Sequence, residues 1–418
     1  MGPGNERLVT AWTAFGMSRQ QDFVDAFEST ARVLGSDATV TLRQVQRWLS
    51  SRPGRPHPRT CKVLEAMFST TVEELGFDPP RAAARKRPGS GRHELGERLT
   101  RALANPARFV DSDLLLLLAA AVDRAALLDG EGGPRAALPH VGAVLDALEQ
   151  LIPQARGPVR TDLLVLGARA AELIAWLHRD SGSPGPLTAL WHDRALEWST
   201  MAGDGAMHAY VLLRKAQATS PGDPARMGDL ARAAHSGPFR LPARPRAEAL
   251  QQEARALALA GAPLHQVQEL LHRAVDEVAG APAPSAPATC TGPLGAEYTL
   301  ERLMVQWALC LREAGRPELA VAMYEQYLPG APFSVRDRAF FGATHAGALA
   351  RAGEPDAAAA MALAVLPLVS GPLFGQALAE LRRTAAVLSG HGRRAAVRRL
   401  RSELAGLSAS TGPGARLP

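Results

Sequence analysis

The sequence predicts an all-α protein, a small helical domain followed by a solenoid of stacked helical pairs. Three observations carry that expectation. Apolar residues recur at helical spacing along most of the chain, as at Val159, Leu163, Leu166, Ala170, Leu173, Ile174 and Leu177, one face of a 3.6-residue period. No segment alternates apolar and polar residues between turn residues, so no strand is expected. Helix–Gly–helix units recur after residue 93, and three Pro/Gly-rich stretches, 79–92, 235–246 and 279–296, divide the chain.

The elements follow in order. A helix over Glu6–Phe15 stops at Gly16. The next starts at Ser18, a good N-cap, and sets Phe23, Ala26, Phe27 and Ala31 on one apolar face. After the polar break Gly35-Ser36-Asp37, Thr41 caps a short helix over Leu42–Leu49 with Leu42, Val45, Trp48 and Leu49 inward. A fourth helix runs from Pro58, a favoured first-turn residue, to Phe68. A fifth is expected at the capping box Thr71-Val72-Glu73-Glu74. Residues 1–78 thus form one domain, and 79–92 read as a flexible basic linker. Helical stripes fill 93–406, interrupted by an Ala/Pro-rich loop at 279–296 and ending in a frayed tail at 407–418.

Composition narrows the function classes. The 418 residues are 46% hydrophobic, too apolar for a disordered chain. Three scattered cysteines, Cys61, Cys290 and Cys310, exclude a disulfide scaffold and fit a reducing cytoplasm. The longest strongly apolar run, Leu114–Val122, is about half of the ~18–20 residues that cross a bilayer, so no membrane partner is expected. The start of the chain has no basic n-region or apolar h-region, and no signal peptide is expected. The net charge of +6 is concentrated: residues 1–93 hold 14 Arg/Lys against 9 Asp/Glu. Within them, residues 38–64 carry Arg43, Arg47, Arg52, Arg55, Arg59 and Lys62 and no acidic residue. Such a field favours a polyanion, most commonly nucleic acid.

The helix after Thr41 has the residues that base readout needs. Its outer face offers Arg43, Gln44, Gln46 and Arg47. Arg forks onto guanine O6 and N7, and Gln onto adenine N6 and N7, in the major groove. Ser18, Gln20, Arg52, Arg55, Arg59 and Lys62 are placed to contact phosphates and fix the register. Here the sequence resembles helix-turn-helix regulators of the XRE type. Gly16-Met17-Ser18-Arg19-Gln20-Gln21-Asp22-Phe23 is similar to that family's second helix, and Val45-Gln46-Arg47-Trp48-Leu49 to its recognition helix. Val63–Phe68 and Val72–Gly76 look like its closing helices. The departure is an insertion around Ser29–Asp37, which lengthens the turn before the recognition helix.

The later helices carry a second resemblance. Met304, Trp307-Ala308, Leu311, Gly315, Ala320 and Tyr324, closing at Pro332, resemble a tetratricopeptide (TPR) repeat, and Ala346, Leu349, Gly353 and Ala358 repeat it 38 residues on. The expected fold class is therefore a helix-turn-helix domain followed by an α-solenoid of TPR-like pairs. No pair buries its own face, so the pairs stack and present a groove. Trp191, Arg194, His208 and Tyr210 lie in the richest polar-aromatic patch and are the candidate groove residues. The whole architecture resembles XRE–TPR transcriptional regulators common in actinomycetes. That resemblance implies double-stranded DNA as a partner, a peptide or protein ligand in the repeat groove, and a homodimer. It implies no cofactor.

Catalytic motifs are missing. There is no phosphate loop, no H-E-x-x-H, no G-x-S-x-G and no cysteine pair with zinc spacing, so no enzyme is expected. The expected function is a cytoplasmic, sequence-specific transcriptional regulator, associated with the nucleoid when bound to DNA. The rival reading is a TPR-like adaptor that binds protein and never touches DNA.

Overall fold

The computed structural model describes residues 5–15, 17, 19–34, 38–50, 56–68, 70–72, 74–77, 90–182, 185–282 and 290–410. Among them every regular element is a helix. The chain divides into two compact units, Met1–Glu94 and Leu95–Pro418.

The first unit contains α1 (Glu6–Ala14), α2 (Gln20–Val33), α3 (Leu42–Trp48) and α4 (Pro58–Phe68). Leu8, Phe23, Phe27, Val45, Trp48 and Leu64 are almost wholly buried and form its core. Each such side chain contributes about 1.5–3 kcal/mol on burial. Buried Asn5 ties the unit together: its Oδ1 accepts from Leu8 N (3.2 Å), capping α1, and its Nδ2 donates to Trp48 O (3.3 Å). α2 begins after Arg19, whose backbone N–H donates to Asp22 Oδ2 at 2.8 Å. Ser18, the expected cap, lies outside the described residues.

Three expectations change here. Leu42 is not inward but 44% exposed. It opens a helix of seven residues, where side chains lean past the N-terminal end, while Val45 and Trp48 are buried in the core and Leu49 packs against it half-buried, as expected. The capping box at Thr71 forms without a helix behind it. Glu74 Oε2 accepts from Thr70 Oγ1 (2.5 Å) and Thr71 N (3.1 Å), which lowers the Glu74 pKa, but the chain turns away at Gly76 within one turn. Part of the insertion before α3 is regular: Ser29–Val33 continue α2, while 35–37 lie outside the described residues.

The expected linker yields to helix at its end. Residues 79–89 lie outside the described residues, and α5 (Ser90–Ala104) begins directly after them. In chain order there follow α6 (Pro106–Phe109), α7 (Ser112–Gly132), α8 (Pro134–Leu151), α9 (Gly157–Asp180) and α10 (Gly185–Ala202). Next come α11 (Gly205–Ala218), α12 (Pro224–Ser236), α13 (Ala243–Leu259) and α14 (Leu264–Ala279). The series closes with α15 (Leu300–Glu313), α16 (Pro317–Tyr327), α17 (Val335–Arg351), α18 (Pro355–Ser370), α19 (Gly375–Val387) and α20 (Ala395–Ser410). The break expected at 235–246 shrinks to 237–242. Pro245 is accommodated because it lies in the first turn of α13, where an N–H has no helical acceptor.

Consecutive helices pack as pairs, and the odd-numbered helices from α7 to α19 also pack on one another, forming a continuous inner layer. The repeat logic is visible at α15–α18. Ala308, Ala320, Ala346 and Ala358 are fully buried where the pairs approach, and Leu311, Tyr324 and Leu349 fill the space between them. Gly315 and Gly353 turn the chain at φ 72° and 81°, left-handed values that glycine adopts freely.

The inner layer of this second unit closes on itself. α17 packs on α7 and α19 on α9. Arg336 of α17 pairs with Asp129 of α7, and Gln376 N of α19 donates to Asp180 Oδ1 of α9 at 3.1 Å. Gly375 allows this closure: a Cβ there would lie 2.4 Å from Asp180 O.

Candidate functional site

Two regions bring chemistry-bearing residues together. The first is α3. Thr41 caps it by accepting Gln44 N (3.3 Å), while Gln44 Oε1 accepts Thr41 N (2.8 Å) and Thr41 Oγ1 (3.0 Å). The reciprocal box lets seven residues stand as a helix. Val45 and Trp48 anchor it below; Phe23 meets Trp48 ring to ring at 6.3 Å and Phe77 meets it at 5.7 Å.

On the opposite face Arg43, Gln46 and Arg47 are exposed. Neither arginine makes an ion pair among the described residues, and no carboxylate lies in 38–64 to provide one. Gln44 differs from its neighbours: its amide oxygen is occupied by the helix start. Gln46 Nε2 donates to Gln20 Oε1 (3.2 Å), so a base-reading candidate on α3 and a phosphate candidate at the start of α2 stand side by side. Arg59 and Lys62 lie exposed on α4. Ser18, Arg52 and Arg55 lie outside the described residues.

The second region is the interior of the closed helical stack. Two adjoining cavities of about 110 and 210 Å³ share Trp176, Arg214, Glu297 and Arg336 in their walls. The wall residues come from the inner helices and from the turn at 290–297, which is held by Asp123 accepting Thr291 N and Thr291 Oγ1, both at 2.8 Å.

The smaller cavity is built from buried charge. Arg214 Nε meets Glu172 Oε1 at 2.5 Å. Arg302 forks onto Asp337, with Nη1–Oδ1 at 3.3 Å and Nη2–Oδ2 at 2.6 Å, and Arg336 pairs with Asp129. Two of these cations lie against the Trp176 ring, with Arg214 at 4.1 Å and Arg336 at 5.2 Å from its centroid. Burial opposes the charge on Asp337, but Arg302 and Arg336 overcome it and hold its pKa well below the carboxylate range. On Asp129 burial wins over Arg336 and pushes the pKa up to about 6. Burial likewise raises Asp180 and Glu248. Glu248 keeps one hydrogen bond, from Gln217 Nε2 at 2.7 Å.

Of the four groove candidates Tyr210 lines the larger of these two cavities, and the other three line neither of them. Arg194 pairs with Glu197 (2.8 Å) and Glu149 (3.6 Å), Trp191 packs against the core, and His208 Nδ1 bonds Thr200 Oγ1 at 3.2 Å beside Phe239. Apart from Tyr210 the cavity residues do not stand out in the sequence, because they are spread from α7 to α19. A signal was there in part: Asp129 and Asp180 sit on the apolar stripes of their helices, one turn after Ala125 and Leu177, where a solvated acid does not belong.

Among the described residues no group of acids, cysteines and histidines is arranged to hold a metal, and no helix is long and apolar enough to cross a membrane. No protein-family model matches the chain, and no curated protein is similar to it.

Proposed function

We propose that the chain is a sequence-specific DNA-binding transcriptional regulator of the cytoplasm, with α3 as the recognition helix. The TPR-like stack serves as its ligand-sensing and dimerisation region. One observation carries the reading. A capped, core-anchored helix exposes Arg43, Gln46 and Arg47, neither arginine having an ion-pair partner among the described residues, in a stretch of 27 residues, 38–64, that holds six cations and no acid. The likeness of residues 16–23 and 45–49 to XRE-type regulators supports it.

Arg43, Gln46 and Arg47 read base edges, and Gln44 positions the helix through its bond to Thr41. Gln20, Arg59 and Lys62, with Ser18, Arg52 and Arg55, contact phosphates. Selection of bound duplexes from a random pool tests this assignment. Arg47→Ala is expected to cost about 1–3 kcal/mol and to relax one base position, whereas Lys62→Ala weakens all sequences alike and lowers the salt slope by about one ion. A wild-type chain that enriches no sequence, while its helical stack captures a protein partner, would favour the adaptor reading instead.

A further inference from the structure

We infer that the smaller inner cavity is a binding site for a cationic head group, an ammonium or guanidinium, carried by a free amine or by a basic side chain of a peptide. The inference deepens the reading of the helical stack as a sensing region and does not depend on α3 binding DNA.

The charge balance of the wall points there. Each arginine lining this cavity already has a carboxylate: Arg214 has Glu172, Arg302 has Asp337 and Arg336 has Asp129. With those pairs set aside, the wall retains two buried acids, Asp180 and Glu248, and at its exposed side Glu297, none of which forms an ion pair among the described residues. No wall cation is left over to match them.

Asp180 is 1% exposed, and its Oδ2 makes no hydrogen bond among the described residues, although the Gln376 side chain is near enough to favour the charge. Glu248 is buried and feels Glu297 as a like charge. The longer-range pull of Arg214 and Arg302 on Glu248, and of Arg336 and Arg179 on Asp180, does not undo their burial: both carboxyls stay above their ordinary range. Buried carboxylates without a counter-charge weaken a fold. A cation entering the cavity supplies that charge.

The remaining wall suits such a guest. Phe340, Phe341 and Phe374 supply apolar and ring surface that accepts an onium group and the methylenes behind it. At about 110 Å³ the cavity is far smaller than the ~300–1,000 Å³ of pockets that enclose a whole small molecule, so it fits a head group.

The test uses the full chain without DNA, with calorimetry and thermal unfolding as readouts. The probes are agmatine, the N-acetylated and C-amidated peptide Gly-Arg-Gly, its neutral citrulline counterpart, and succinate. A saturable rise in the unfolding midpoint with agmatine supports a free amine as the source, and a rise with the arginine peptide alone supports a peptide side chain. Glu248→Gln is expected to weaken the binding cation about tenfold or more while leaving the unliganded midpoint unchanged or higher. Asp180→Asn gives an independent variant with the same expectation. The inference is overturned if neither cation shifts the midpoint at about 10 mM, well above a weak millimolar Kd. It is equally overturned if succinate or the citrulline peptide does as much, or if both variants bind like the wild type. Cation binding that leaves DNA affinity unchanged would keep this site and remove the sensing role.

Discussion

Replacing Arg336 with methionine removes the cation that joins α17 to α7. Asp129, its partner, is fully buried. Even with Arg336 present, burial holds the Asp129 carboxyl at about 6 against an ordinary value of 3.8. Those two units correspond to about 3 kcal/mol of desolvation that the pair does not offset. Breaking one side of a buried ion pair costs about 3–5 kcal/mol, because the other charge stays behind. Arg336→Met is therefore expected to lose that much stability at pH 7. The sign with pH follows from the raised pKa. The contribution of Asp129 to stability is complete below 3.8 and lost as the pH rises through 6, so protonation relieves the variant on acidification. The deficit should shrink between pH 7 and pH 5, and adding Asp129→Asn should recover more than about 1 kcal/mol at pH 7. Urea unfolding of the full chain followed by tryptophan fluorescence reads this, since Arg336 lies 5.2 Å from the Trp176 ring. A loss under about 1 kcal/mol, or one equal at both pH values, would refute the reasoning.

Other consequences can be measured alongside. Gly375→Ala puts a Cβ 2.4 Å from Asp180 O, so the contact between α9 and α19 must shift at about 1–3 kcal/mol; faster amide exchange in α19 is the expected signature. Thr41→Ala removes the cap of α3 and is expected to cost about 0.5–2 kcal/mol, with DNA affinity falling in parallel. His192 is 4% exposed, and burial, aided by Arg214, Lys215 and Arg179, drives its pKa down to about 3. The unfolded chain takes up a proton near 6.5 that the folded chain refuses. Stability should thus fall by about 3–5 kcal/mol through His192 as the pH drops from 6.5 to 3, and denaturation of His192→Gln should lack that component.

The helices were legible wherever a periodic apolar stripe met a clear stop. Pro58–Phe68 has the bounds its sequence implies, and the alanines and glycines at 308–358 mark the pair-to-pair contacts. Local rules failed where length decided the outcome. The box at Thr71 has its hydrogen bonds but only one turn before Gly76, and Leu42 satisfies a stripe that its short helix cannot bury. On α3 the exposed arginines were readable, but the capping role of Gln44 was not, because a glutamine at that position can serve the helix start or a ligand equally. The cavity was illegible as a unit. Its walls meet only because the inner layer returns on itself, bringing Asp129 to Arg336 and Asp180 to Gln376 across about half the chain, and sequence periodicity does not encode that closure.

The most direct test of the account is the salt dependence of DNA binding by the purified full chain. Labelled genomic fragments are titrated at about 50 and 200 mM salt beside the variant carrying Arg43→Ala and Arg47→Ala. Saturable binding to a small subset of fragments, a steep loss of affinity with salt, and loss of fragment preference in the double variant are expected. No binding at the lower salt, or a fragment preference that survives the double substitution, would contradict α3 as the reading helix.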